Sequence, residues 1–181
     1  MKQLRGTPLK RFLRDFKRAN QPERDLALVL QSVMYPVNVG SLFRIADATR
    51  VSHMYLCGIT PTPPNKTIVK VGRGKDRNVP WSQVETVEEV LATLKADGYH
   101  ISALEITDAS LPYYEVTYPR KLAVIVGNED HGVTRGALEF CDSSVFVPMY
   151  GKGQSLNVHV SVAVLMYHVL HYRQNADLEE L

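Results

Sequence analysis

Short unbroken apolar runs, separated by stretches with helical periodicity, constrain this chain more than any other feature. Residues 26–30 read LALVL and residues 122–126 read LAVIV. Apolar runs of this length, bounded by turn residues, are buried strands and are far too short to cross a bilayer. Strands are expected at 25–31, 53–57, 99–104, 121–126 and 144–148. Helices are expected between them. Asn38 can cap one in which Leu42, Ile45, Ala46 and Thr49 keep a helical period. A second carries Val87, Val90, Leu91 and Leu94, with Glu85, Glu88 and Glu89 favouring its start and Gly98 stopping it. A short third spans 134–140.

The closing segment fits two patterns. Val158, Val160, Val162 and Val164 alternate as in a strand, whereas Val162, Leu165, Met166 and Val169 recur at helical spacing. Its length favours a helix from about Ser155. The stretch from Thr60 through Gly72 to Trp81 reads as connection. Strands alternating with helices in this way predict an α/β fold: a mostly parallel sheet with helices on both faces and functional loops at the carboxyl ends of its strands.

The chain has 181 residues, 45% hydrophobic and 22% charged, which suits one globular domain with its own core. Two cysteines, Cys57 and Cys141, lack CxxC spacing, so neither a disulfide framework nor a zinc site is expected. His168 and His171 lie three apart without a further clustered ligand, and no metal is expected. Charges stand at the N-terminus where a signal peptide needs an apolar stretch, so a cytoplasmic location is the simple expectation.

A net charge of +2 is too small to argue for a nucleic-acid partner, but its distribution is lopsided. Between Lys2 and Arg24 eight basic residues face only Asp15 and Glu23, while Asp177, Glu179 and Glu180 make the end acidic. Thr7 followed by Pro8 predicts a helix start, and Leu9, Phe12, Leu13 and Phe16 then recur at helical spacing. The expected helix docks its greasy face on the core and offers Lys10, Arg11, Arg14, Lys17 and Arg18 to phosphates. A membrane surface or calmodulin is the alternative partner for such a helix. Lys66, Lys70, Arg73, Lys75 and Arg77 form a second basic group.

Familiar phosphate-binding motifs do not hold. Gly72-Arg-Gly-Lys-Asp-Arg77 lacks the third glycine of GxGxxG, and Gly151-Lys-Gly-Gln-Ser155 misses the GxxxxGK[ST] spacing. Three other segments, each following an apolar strand or opening the next element, stand out: NVGSLFR from Asn38, VIVGNEDHGV from Val124, and VPMYGKGQSLNVHVSVA from Val147. In this order they resemble the three signature motifs of the SpoU, or TrmH-type, RNA 2′-O-methyltransferases. The resemblance spans roughly Leu26 to Arg173.

That resemblance implies the SPOUT fold, in which the C-terminal part is threaded into a deep trefoil knot against the usual rule. It also implies a homodimer, S-adenosylmethionine as methyl donor and RNA as substrate. The implied domain is 25–175, preceded by a basic extension, 1–24, and followed by an acidic tail, 176–181. By the same resemblance Asn38, Arg44, Glu129, Ser155 and Asn157 stand at the reaction centre. Leu104, Gly127, Asn128, Gly132, Val147, Met149 and Leu156 surround the cofactor, largely through main-chain groups. Arg44 would grip a phosphate bidentately, because a guanidinium is almost never deprotonated, and Glu129 would orient Arg44 or Asn38. The implied substrate is a structured RNA, with transfer RNA the first choice and ribosomal RNA the alternative. A non-catalytic knotted RNA-binding protein, or a methyltransferase for a base or protein, is the rival.

Overall fold

The computed structural model describes residues 1–21 and 23–171, so the expected acidic tail, 176–181, and the last residues of the implied domain lie outside the described residues. In chain order the elements are α1 (Gly6–Ala19), β1 (Asp25–Gln31), α2 (Pro36–Thr49), β2 (His53–Cys57) and α3 (Lys66–Gly72). A single 3-10 turn, Lys75–Arg77, leads to β3 (Trp81–Val84), α4 (Val87–Ala96), β4 (His100–Leu104) and β5 (Leu111–Pro112). The chain continues through β6 (Lys121–Val126), α5 (Arg135–Leu138), β7 (Ser143–Phe146) and α6 (Val158–His171).

The strands form one sheet in the order β3-β2-β1-β6-β4-β7-β5. Every ladder in it is parallel. Side chains on successive strand residues point to opposite faces, so each apolar run feeds two cores. Leu26, Leu28 and Leu30 of β1 and Leu122, Val124 and Val126 of β6 pack under α2, α3 and α6, against Leu42, Phe43, Ile68 and Leu165. Ala27 and Val29, with Ala123 and Ile125, face Val90, Leu91 and Leu94 of α4 and Ala137 of α5. Burying each large aliphatic side chain contributes about 1.5–3 kcal/mol, and Leu26 to Leu30 of β1 and Leu122 to Val126 of β6 carry no polar residue.

Several expectations are corrected. α1 starts at Gly6 after Arg5, without a side-chain cap, so Thr7 lies inside the helix. The helix does not dock on the core: Leu9, Phe12, Leu13 and Phe16 are 37%, 56%, 46% and 54% exposed. Both faces of the sheet are already covered by other helices, which leaves α1 no core surface to join. Asn38 is not a cap either. Tyr35 occupies that position, Pro36 begins α2, and the buried Asn38 side chain is committed elsewhere.

The region read as connection contains α3 and β3, and β5 was not anticipated. Asn65 starts α3, its Oδ1 accepting from the amides of Thr67 at 2.9 Å and Ile68 at 3.4 Å. β7 covers 143–146 rather than 144–148, and α6 begins at Val158 rather than near Ser155. The ambiguous last segment is a helix, as its length argued.

Candidate functional site

The carboxyl ends of β6, β4 and β7 are neighbours in the sheet although far apart in the chain. Beyond them opens a cavity of about 740 Å³. Leu104 ends β4, Val126 ends β6 with Gly127 directly after it, and Phe146 ends β7 with Val147 directly after it, all lining this cavity. The opposite wall comes from residues 154–157 before α6, from Val158 and Ser161 on it, and from Tyr35 and Asn38 at the start of α2. This is where an open parallel sheet exposes its unpaired strand ends and following loops.

The floor is a tight loop. Asn128 and Gly132 exchange backbone hydrogen bonds of 3.1 and 2.8 Å, and Asn128 Oδ1 accepts from the amides of Asp130 at 3.0 Å and His131 at 3.2 Å. The Asn128 amide donates to the Ser32 carbonyl at 2.9 Å, tying the loop to the end of β1. Gly127 stands against the returning backbone: a Cβ there would lie 2.0 Å from the Gly132 carbonyl carbon and 2.2 Å from the Val133 nitrogen. Gly132 has φ +67° and a Cβ on it would meet Glu105 Oε2 at 2.3 Å. Only glycine satisfies both close approach and left-handed backbone here.

Above this floor Glu129 is tied to α2. Its Oε2 accepts from the Met34 amide at 2.8 Å, and its Oε1 from the Tyr35 amide at 3.3 Å and Asn38 Nδ2 at 2.6 Å. Burial pushes the carboxyl up, but the Met34 amide, the Asn38 side chain and the other donors outweigh it and hold Glu129 below its ordinary value. Asn38 Oδ1 in turn lies 3.1 Å from His159 Nδ1 on α6. One short chain of bonds therefore joins all three signature segments.

Most of the expected site residues converge here. Asn38, Glu129, Ser155 and Asn157, with Leu104, Gly127, Asn128, Gly132, Val147 and Leu156, line the cavity. Two do not. Met149 lies on the same loop outside the lining, and Arg44 sits exposed on α2, also outside it. Glu129 engages Asn38 and not Arg44. Asn157 Oδ1 accepts from the His159 amide at 3.3 Å, so within the chain this side chain opens α6.

Glu105, Tyr35, Gln154 and His159 were not singled out from the sequence. Glu105 lines the cavity and accepts from the amides of Ile106 and Val133, both at 2.9 Å. Its signal was a carboxylate directly after a buried strand; that of His159 was a polar residue inside the third signature segment. Cys57 and Cys141 take no part, since burial pushes their thiols up to about 12 and about 11, where little thiolate forms. Among the described residues no cluster has a metal-binding set of side chains.

Of the expected phosphate contacts, Lys10, Lys17 and Arg18 on α1 and Arg73 and Arg77 beside α3 are exposed. Arg11 and Arg14 pair with Asp15 at 3.8 and 3.0 Å, and Lys75 pairs with Asp47 at 2.8 Å. Lys17 also acts on Asp47, and Arg50 bonds Gln21, so the end of α1 and the 3-10 turn meet at the end of α2.

Residues 25–167 match the SpoU rRNA Methylase family. The chain is 30% identical over 171 residues to the tRNA (guanosine(18)-2′-O)-methyltransferase of Escherichia coli K12, covering 93% of this chain and 72% of that one. It is 32% identical over 155 residues to the 23S rRNA (guanosine(2553)-2′-O)-methyltransferase RlmP of Bacillus subtilis, covering 83% of this chain but 62% of the relative. The A. aeolicus TrmH/SpoU tRNA modifying enzyme superposes with a TM-score of 0.77 at 26% identity, over 95% of this chain and 87% of that chain.

Proposed function

This chain belongs to the SpoU rRNA Methylase family, and on that premise we propose that it methylates a ribose 2′-hydroxyl of a structured RNA with S-adenosylmethionine as donor. Transfer RNA is the favoured substrate and ribosomal RNA the second reading, since the two relatives above are named for one each. The observation that carries the proposal is the convergence of three sequence-distant signature segments on one cavity.

The cavity suits the donor. Leu104, Val147 and Leu156 offer apolar surface for a flat base, and the loop from Gly127 to Gly132 brings main-chain groups close to a ligand without intervening side chains. When bound, S-adenosylmethionine supplies an electrophilic methyl group on a sulfonium. The chain's own work is positioning. A 2′-hydroxyl is a weak nucleophile, so it must be held in line and relieved of its proton during attack. Asn38 and Glu129 form a rigid polar wall, Ser155 and Asn157 add hydrogen-bonding groups, and Arg44 grips the adjoining phosphate as a two-pronged donor.

The rest of the reading concerns assembly. The C-terminal part, around the 147–157 loop and α6, is threaded as a deep trefoil knot. A homodimer forms over α6, which is mostly apolar yet leaves Val160 and Tyr167 exposed, and over the start of α2, where Met34, Tyr35 and Val37 are exposed. The basic extension 1–24 and the Arg73, Lys75 and Arg77 group hold the RNA backbone around a methyltransferase domain of 25–175, in the cytoplasm.

Incubation with labelled S-adenosylmethionine and total RNA from cells lacking the protein, followed by digestion and mass analysis, tests this. A 2′-O-methylated nucleotide in transfer RNA is expected, and label in ribosomal RNA favours the second reading. Label on a base, on protein or nowhere refutes it. Arg44→Ala is expected to abolish transfer while cofactor binding persists.

A further inference from the structure

The amide of Asn38 is held from both sides by groups that fix which of its ends is which. Glu129 is an acceptor only, because three donors converge on its carboxylate and keep it ionised. The group of Asn38 facing it at 2.6 Å must then be the NH2, and the group facing His159 Nδ1 at 3.1 Å must be the carbonyl oxygen. An oxygen with lone pairs requires a donor opposite, so Nδ1 must carry the proton. Neutral histidine has one N–H, and Nε2 is therefore the bare nitrogen. Among the described residues Nε2 has no hydrogen-bonding partner.

We propose that His159 is a positioning residue for Asn38, held as the Nδ1–H tautomer, and that Glu129, Asn38 and His159 act as one relay that presents the second Nδ2 hydrogen of Asn38 to the substrate. This rests on the methyltransferase reading for its purpose, though not for its geometry.

Three features carry it. The three residues come from segments as far apart as Asn38 and His159, 121 positions away in the chain, so helical geometry alone does not account for the contact. Asn38 is 4% exposed and lines the cavity, so an amide not held in place would leave a buried polar group unsatisfied at the reaction centre. Donation into Oδ1 also polarises the amide and strengthens its N–H as a donor, so the two bonds support each other. Asn157 fixes the other end of the device: by accepting from the His159 amide it sets the turn of α6 from which the imidazole projects.

The test begins with the tautomer in full-length, cofactor-free protein. With nitrogen-15 labelled histidine at pH 8, the His159 signals, assigned by their loss in His159→Asn, should show Nδ1 protonated and Nε2 bare. Burial holds this imidazole below its ordinary value of 6.5, so it is neutral at that pH. Exposed histidines favour the opposite tautomer, and finding that one here would overturn the proposal.

Kinetics supply the second arm. His159→Ala should lower kcat by roughly tenfold to a hundredfold, the scale of a misplaced reacting group, with little change in KM for the donor. His159→Asn, which keeps an N–H near the Nδ1 position, should recover to within about threefold of the parent. An unchanged kcat in the alanine variant, or no recovery with asparagine in a protein of unchanged fold, overturns the relay. A chain that transfers no methyl group yet shows Nδ1 protonated refutes the proposed activity and leaves the relay standing.

Discussion

Glu129 and Asn38 are joined by a 2.6 Å hydrogen bond across 91 positions of sequence. With the Met34 and Tyr35 amides on the same carboxylate, this bond pins the loop after β6 to the first turn of α2. Glu129→Gln must set an NH2 against either the Met34 N–H or the Asn38 NH2. The expected cost is about 1–3 kcal/mol of stability, and methyl transfer should fall roughly a hundredfold. Thermal melts and initial rates check this, and parent-like values for both would sink the structural role assigned to Glu129.

Stability should decline toward acid in two stages. Burial holds His53, His159 and His168 below their ordinary 6.5, so the unfolded chain takes up protons first and stability is lost as pH falls from 6.5 through the folded values. For Asp47, Asp142 and Glu129 partial desolvation pushes the carboxyls up, but their hydrogen bonds and ion pairs prevail and hold them below 3.8, 3.8 and 4.5. Their contribution is present above those values and disappears as pH drops through the still lower folded ones. Denaturant midpoints across pH 3–8 measure both stages; a midpoint flat from pH 7 to 5 would contradict the first.

Gly127→Ala should remove donor binding. Its new methyl group has backbone, not a flexible side chain, within 2.2 Å, so the loop itself must move. The expected destabilisation is roughly 1–3 kcal/mol, or about 2–4 °C of melting temperature per kcal/mol. Titration calorimetry with S-adenosylmethionine should show at least a tenfold loss of affinity, and retention of parent affinity would be the contrary result.

RNA affinity should fall steeply with salt, and the basic residues should differ in their share of that slope. Lys17 and Arg18 are exposed, whereas Lys75 is already paired with Asp47 at 2.8 Å. Replacing Lys17 and Arg18 together by alanine should flatten the log–log slope by about 0.7–0.9 per lost phosphate contact. Lys75→Ala should flatten it less. Filter binding between 50 and 300 mM salt separates these outcomes, and equal slopes for all three proteins would count against α1 as an RNA contact.

β1 and β6 were legible because each is an apolar run, and two faces demand burial at every position of Leu26 to Leu30. α3 and β3 were not, since seven- and four-residue elements with few buried positions leave almost no period to read. Asn38 illustrates a different limit: a helix cap and a tertiary amide bridge use the same residue at the same place, and only the long-range partner distinguishes them. His159 was hidden inside the valine alternation of α6. For α1, amphipathicity states that one face prefers cover without naming the cover. Where the motifs lay was readable; how Arg44 stands relative to the cavity was a question of helix orientation, which no spacing encodes.

The cavity draws its walls from β6, β4 and β7, adjacent in space yet separated in synthesis, and from the segment before α6, which is made last among them. A ribosome-bound chain that has not released residues 154–158 lacks one wall of the pocket. A ligand held in this cavity therefore binds only the chain in which that last wall is in place, and its binding adds to the stability of the completed fold.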